Sequence, residues 1–317
     1  MLATLLASGR TLLADGATGT NLFALGLTSG DAPEMWNLEH PDRVRALHQG
    51  FVDAGSDIIL TNSFGGNARR LMLHGMQDRV REINRLAAQH ARSVADKAGR
   101  PVVVAGSVGP TGDLFEPLGV LTEAMAIEVF EEQIRGLKEG GADVAWIETM
   151  SSLEEIRAAA MAAAKVGMPY TFTASFDTAG RTMMGITPAA LVEFAQSLNP
   201  PPLAIGANCG VGASDLVVST LGMTAQQAGI PIIAKANAGV PKFIGAEVHY
   251  SGTPDLMATY VDLAADSGAR IIGGCCGTTF GHLSAMHAAL HHHHAGARPD
   301  EAKVIAELGP LQAPGAK

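Results

Sequence analysis

The chain has 317 residues, 47% of them hydrophobic, 17% charged and 5% aromatic, with 37 glycines and a formal net charge of −9. That is ample material for one large core and excludes a disordered chain, and the acidic balance argues against a nucleic-acid partner, whose phosphates call for a Lys/Arg excess. No apolar run reaches the ~20 residues that cross a bilayer, so no membrane contact is expected, and the opening residues lack the basic start of a secretory leader.

Eight short, apolar, β-prone runs recur along the chain, at 11–14, 58–61, 102–105, 144–147, 170–174, 204–207, 232–235 and 271–273. Helical patterns separate them. Residues 79–98 place Val80, Ile83, Leu86, Ala87 and Ala91 at a 3.6-residue period. Thr122 is an N-cap for Glu123–Glu139, which the pair Gly140-Gly141 ends. Leu153–Val166 stops at Gly167. Segment 188–198 starts with Thr187 at the cap and proline at the first helical position. Segments 212–227, 254–267 and 281–293 complete the set. Wholly apolar strands alternating with helices imply a parallel sheet covered on both faces. Eight such units fit a single (β/α)8 barrel, expected over residues 1–295, with an open doubly wound sheet as runner-up. The tail, 296–317, is expected to carry a short extra helix. His291–His294, with His287 one turn earlier, reads as a polar helix end, because consecutive helical residues point around the axis and cannot all face one ion. Arg69, Arg70, Arg79 and Arg81 alternate with acids and read as a solvated face.

In such a barrel, chemistry sits where strands end. The strand ends here are polar and glycine-rich: Asp15-Gly16-Ala17-Thr18-Gly19 after strand one, Asn62-Ser63-Phe64-Gly65 after strand two, Gly106-Ser107-Val108 after strand three, Glu148-Thr149 after strand four. Strand six ends in Asn208-Cys209-Gly210, strand seven in Asn237-Ala238-Gly239, and strand eight in Gly274-Cys275-Cys276-Gly277. The chain's 3 cysteines thus fall on next-but-one strands at one rim. Three cysteines, two adjacent, make no disulfide framework, and a reducing cytoplasm is the expected compartment. Three thiolates suit Zn²⁺ and leave a fourth position open. So electron-rich a centre is a poor activator of water and a better partner for a substrate thiol.

The segments DGATGTNL, TNSFGGN, GSVGPTGDL, ANCG, NAG and GGCCGTT together resemble the homocysteine S-methyltransferase family over roughly residues 10–292. That family includes betaine–homocysteine methyltransferases, S-methylmethionine-dependent enzymes and the N-terminal module of cobalamin-dependent methionine synthase. The resemblance implies one zinc held by Cys209, Cys275 and Cys276, with homocysteine sulfur in the open position and Asn237 able to cap the metal when substrate is absent. It implies that Asp15 and Glu148 hold the homocysteine amine, beside Gly16. The carboxylate is then met by backbone N–H groups around Ser107 and Val108. The product is methionine.

The expected donor is betaine or a related onium compound. A quaternary ammonium favours an aromatic face, and Trp36 falls near a donor-contacting tryptophan of the betaine enzymes. Asn62 and Phe64 are the other candidate donor-pocket residues. The second aromatic of those enzymes has no counterpart here, where Gly65-Gly66 stand in its place. The alternative is the homocysteine-activating subunit of a split cobalamin-dependent methionine synthase. Its methylcobalamin would come on a separate corrinoid protein. A zinc hydrolase is a rival of another class, which would call for His and Asp at the metal rather than Cys. A homo-oligomer is left open.

Overall fold

The structure, a computed structural model, describes residues 1–28, 30–244 and 247–312. An 8-stranded parallel sheet runs in the order one, eight, seven, six, five, four, three, two. The strands, in chain order, are Leu12–Leu13, Ile58–Leu60, Val103–Val108, Val144–Met150, Tyr170–Ala174, Ile205–Cys209, Ile232–Ala236 and Ala269–Gly274. A parallel bridge from Ala14 to Ile58 joins the two ends and closes the barrel. Asp57 N–H donates to Leu13 O at 2.7 Å, and Asp15 N–H to Ile58 O at 3.0 Å, across that seam. The expected (β/α)8 architecture is therefore present.

The residues explain the layers. The barrel interior is filled by Leu12, Ile58, Val103, Val144, Trp146, Ile233 and Ile271, while the opposite strand faces pack on the helices. Leu2 of a helix at Leu2–Ala7 enters the same interior cluster. That helix plugs the end of the barrel where the strands begin, so the apolar opening of the chain is core. Its pattern is too short to signal a helix by periodicity alone. Gly206 leaves no room for a side chain beside strand seven, since a Cβ there would lie 1.9 Å from Ile233 O.

Thr122, Ser152, Thr187 and Thr253 each cap the helix that follows by accepting an N–H from its first turn. Helices Glu123–Glu139 and Leu153–Val166 have the bounds their sequence patterns give. Others are trimmed by a few residues, such as Val80–Ala95, as helix ends fray. Helix Glu301–Leu308 packs its Val304 and Leu308 inward and is tied to the barrel by Ser214 Oγ–H donating to Gly309 O at 2.9 Å. Tail residues 313–317 lie outside the described residues.

Two strands run longer than their sequences suggest. Strand three continues through Gly106, Ser107 and Val108, and strand four through Glu148 and Thr149 to Met150. An antiparallel hairpin, Pro241–Ile244 with Glu247–Tyr250, rises from the loop after strand seven, where no strand was expected. His293 pairs with Asp262 and Asp266, at 3.0 and 3.2 Å, so the histidine tract does end a helix as a polar surface. Among the described residues, no helix is long and apolar enough to cross a membrane.

Candidate active site

A cavity of about 620 Å³ opens at the rim where the strands end, and its wall carries Gly16, Asn62, Phe64, Ser107, Glu148, Lys235 and all three cysteines. Cys209 closes strand six, and Cys275-Cys276 follow strand eight. Their sulfurs all lie within 4.8 Å of one another, and Cys209 Sγ is 3.9 Å from Cys276 Sγ. Tetrahedral ligands at about 2.3 Å from one ion sit about 3.8 Å apart, so the sulfur spacing fits a single zinc-sized ion. Among the described residues this is the one His/Cys/Asp/Glu group arranged to hold a metal.

The thiols are strongly coupled. Hydrogen bonds from Cys209 and Cys275 pull the Cys276 thiol down to about 3, with help from Tyr250 at the end of the hairpin. Hydrogen bonding to both partners and burial push Cys209 far up. Cys275 is drawn down by Cys209 but raised more by Cys276 and by burial, to about 12. One negative charge is what three thiols so close can hold by themselves. A divalent cation removes that limit.

The backbone around the sulfurs is held hard. Cys209 and Thr149 adopt φ of 60° and 61°, which non-glycine residues rarely accept. Asn208 locks both strand ends together. Its Oδ1 accepts from Thr149 N–H at 2.9 Å and from the Thr173 hydroxyl at 2.6 Å. Its Nδ2 donates to Thr149 Oγ1 at 2.7 Å and to Cys275 Sγ at 3.8 Å. Thr278 does the same for the first loop, accepting from Ala17 N–H at 3.0 Å and donating to Cys275 O at 2.6 Å. Gly16 and Gly274 allow this approach, since a Cβ on either would come within 2.6 Å of Thr278.

Beside the cysteines lies a cluster of buried charge. Lys235 Nζ donates to Asp15 Oδ1 at 2.8 Å, and Leu60 N–H donates to Asp15 Oδ2 at 2.7 Å. Burial pushes the Asp15 carboxyl up, against the pull of Lys235. Burial also works against the Lys235 charge, but Asp15 and Glu148 outweigh it and hold the ammonium on. Glu148 Oε1 accepts the Ser107 hydroxyl at 2.5 Å, and burial raises its carboxyl to about 7 although Lys235 draws it down. Further out, Glu34 Oε1 accepts Gly65 N–H at 2.6 Å, and burial raises that carboxyl too.

Residues 12–290 match the homocysteine S-methyltransferase sequence profile. The chain belongs to that family. It is 31% identical over 299 residues to the methionine synthase of Mycobacterium tuberculosis, covering 89% of this chain and 25% of that protein. The methionine synthase of Mycobacterium leprae is 30% identical over 297 residues, with 89% and 24% covered. The chain thus spans about a quarter of the length of these relatives. The fold is similar to that of the metallated form of the homocysteine methyltransferase MmuM from Escherichia coli. There the TM-score is 0.76 at 23% identity, with 90% of this chain and 98% of that one covered. The oxidized form of MmuM gives a TM-score of 0.75 at 22% identity.

Within the homocysteine S-methyltransferase fold, the residues singled out in the sequence divide into those that reach the cavity and those that do not. The cysteines, Gly16, Ser107, Glu148, Asn62 and Phe64 reach it. Trp36 does not. It is 4% exposed, packed edge-on against His40 at 4.9 Å under Arg43, and belongs to the core beneath the first loop. Its helical spacing turns the indole inward, so it makes no donor cage. Asp15 sits behind Lys235 rather than on the wall. Val108 is a buried strand residue paired with Ile147, and Ser107 N–H is taken by Thr61 Oγ1 at 3.0 Å. Of the backbone donors expected for a carboxylate, the Ser107 N–H is thus engaged inside the barrel. Asn237 lies behind Cys209, donating to Gly210 O at 2.9 Å, and its Oδ1 has no donor among the described residues.

Lys235 and Asn208 are the site residues that sequence reasoning passed over. The lysine interrupts a run of apolar residues in strand seven, and a charge inside a buried parallel strand was the available signal.

Proposed function

We propose that this chain is a zinc-dependent homocysteine S-methyltransferase that makes methionine. The observation that carries the reading is the convergence of three cysteine sulfurs on the cavity wall at the spacing of one ion. Cys209, Cys275 and Cys276 would hold the metal, and the donor set, all sulfur with room for a fourth ligand, fits zinc. Zinc held there would keep a substrate thiol ionised and nucleophilic at neutral pH. Glu148, steadied by the Ser107 hydroxyl, takes the substrate ammonium. Gly16 and the first loop bring backbone close to the acceptor, and the apolar barrel floor keeps water from beneath it. Fixing two substrates in line and excluding water is then the main catalytic task.

For the donor we favour betaine or a related onium compound. Glu34 is 6% exposed and lines the same cavity, with its Oε1 accepting the Gly65 N–H. A carboxylate on the cavity wall favours a cationic ligand beside it. Phe64 supplies an aromatic surface on the same wall. A second reading, the homocysteine-activating part of a cobalamin-dependent methionine synthase working with a corrinoid protein, draws support from the likeness to the mycobacterial methionine synthases. The all-sulfur ligand set and the family leave no support for a hydrolase.

Purified, zinc-loaded protein is given homocysteine with betaine, with a sulfonium donor, or with methylcobalamin, and methionine is measured. Methionine from an onium donor alone is expected. Turnover with methylcobalamin only would move the assignment to the second reading, and none with any donor would overturn both.

A further inference from the structure

We propose that Gln133, on a helix outside the barrel, is a positioning residue for the acceptor's ammonium: it fixes Ser63 and Ser107 so that the Ser107 hydroxyl aims Glu148 into the cavity. This rests on homocysteine being the acceptor and on Glu148 holding its ammonium. Gln133 sits fully buried on the inward face of helix Glu123–Glu139, in line with Phe130, Ile134 and Leu137. An amide on so apolar a face costs stability unless its groups are paired. Its Nε2 meets acceptors only: Ser63 O at 2.8 Å, Asn84 Oδ1 at 3.2 Å and Ser107 O at 3.4 Å. Its Oε1 has no donor among the described residues. The side chain is thus held by what its N–H groups reach, the loop after strand two and the end of strand three together. Asn84 backs it, spending both N–H donors on Gly66 O at 2.8 Å and Val80 O at 2.7 Å. Gly66 makes the room, since a Cβ there would lie 2.6 Å from Asn84 Oδ1.

From Ser63 the hydrogen bonds run in a closed circuit around Ser107. The Ser63 hydroxyl donates to Ser107 O at 2.8 Å. That leaves the Thr61 hydroxyl to donate to Ser63 Oγ at 2.6 Å, while Thr61 Oγ1 accepts the Ser107 N–H at 3.0 Å. Both peptide groups of Ser107 are therefore tied to the end of strand two, and its hydroxyl is left for Glu148, at 2.5 Å. Thr61, Ser63 and Ser107 are all buried, and bonds in so dry a chain reinforce one another. Gln133 joins this circuit to the helix layer. Without its donors, Ser63 O and Ser107 O face an apolar side chain, the circuit shifts, and the Ser107 hydroxyl moves off Glu148. A misplacement of about 1 Å at a binding group costs up to about 100-fold.

The test titrates homocysteine and 4-mercaptobutanoate, the same thiol and carboxylate without the amine, into zinc-loaded protein and reads the heat of binding. Wild type, Q133M, S63A, S107A and Q133M/S107A are compared, with zinc content and melting temperature measured on each. Wild type is expected to bind homocysteine about 10- to 100-fold tighter than the amine-free thiol. Q133M and S63A each lose about tenfold on homocysteine and stay within about twofold on the amine-free thiol. The double variant is no worse than S107A alone, because both substitutions break one path. S63A removes a single buried oxygen and decides the matter if Q133M does not fold. Equal weakening on both thiols, additive losses in the double variant, or unchanged homocysteine binding overturns the role of Gln133. A wild type that binds both thiols alike overturns the place of the ammonium at Glu148 and this proposal with it. A wild type that binds neither overturns the homocysteine reading itself.

Discussion

Asn208→Ala probes how the sulfur site is held. Asn208 is buried and makes three hydrogen bonds of 2.9, 2.6 and 2.7 Å to Thr149 and Thr173, besides its contact with Cys275 Sγ. Each is worth about 1 kcal/mol net, so their loss removes about 3 kcal/mol. Unfolding entropy is about 2.1 cal/mol/K per residue. For 317 residues that is about 0.7 kcal/mol per degree, and the midpoint falls by about 4 °C. Thr149 keeps its left-handed backbone only while Asn208 holds it, and Cys275 loses a donor to its sulfur. Zinc affinity should therefore drop by about tenfold or more, as when other groups that orient metal ligands are removed. Calorimetry of the zinc-free protein gives the first number, and competition with a chromogenic zinc chelator gives the second. A midpoint within 1 °C of wild type (a threshold of about 0.7 kcal/mol), together with unchanged zinc affinity, would refute the locking role.

Two further outcomes are expected. Glu148 has its folded carboxyl raised to about 7 by burial, so the folded state binds a proton that the unfolded chain has already released. Its contribution to stability is present at low pH and is lost as pH rises from the ordinary carboxylate range through about 7. The ionised form is the one that binds an ammonium, so kcat/KM for homocysteine should climb through the same window, and E148Q should flatten the climb. A profile unchanged by E148Q would place the titration elsewhere. Trp36→Phe, a core change outside the cavity, should lower stability by about 1–2 kcal/mol and leave the donor KM within about twofold. A KM raised tenfold, about 1.4 kcal/mol, would return Trp36 to the donor site.

The barrel was legible in the sequence because the apolar runs ended at a glycine, an asparagine, a serine or an acid and a helical pattern followed. Thr122 and Thr187 mark helix starts by chemistry that needs no tertiary context. The cysteines were legible because strand order alone carries Cys209 and Cys275-Cys276 to one rim. What escaped was decided by pairing and direction. Gly106 and Ser107 look like loop residues, yet strand four pairs with them in the sheet, and Thr61 at the end of strand two takes the Ser107 N–H. Trp36 has the right position along the chain and the wrong direction. Lys235 counts as a strand residue until the closed barrel sets it against Asp15, 220 positions away in sequence.

The most direct test of the central claim is X-ray absorption at the zinc edge of the loaded protein, with and without homocysteine, for wild type and C276A. Wild type should show three sulfur ligands at about 2.3 Å beside one lighter atom, rising to four sulfurs when homocysteine is added. C276A should bind little zinc. A sulfur count that does not rise with homocysteine, or full zinc retention by C276A, would contradict thiol activation at these three cysteines.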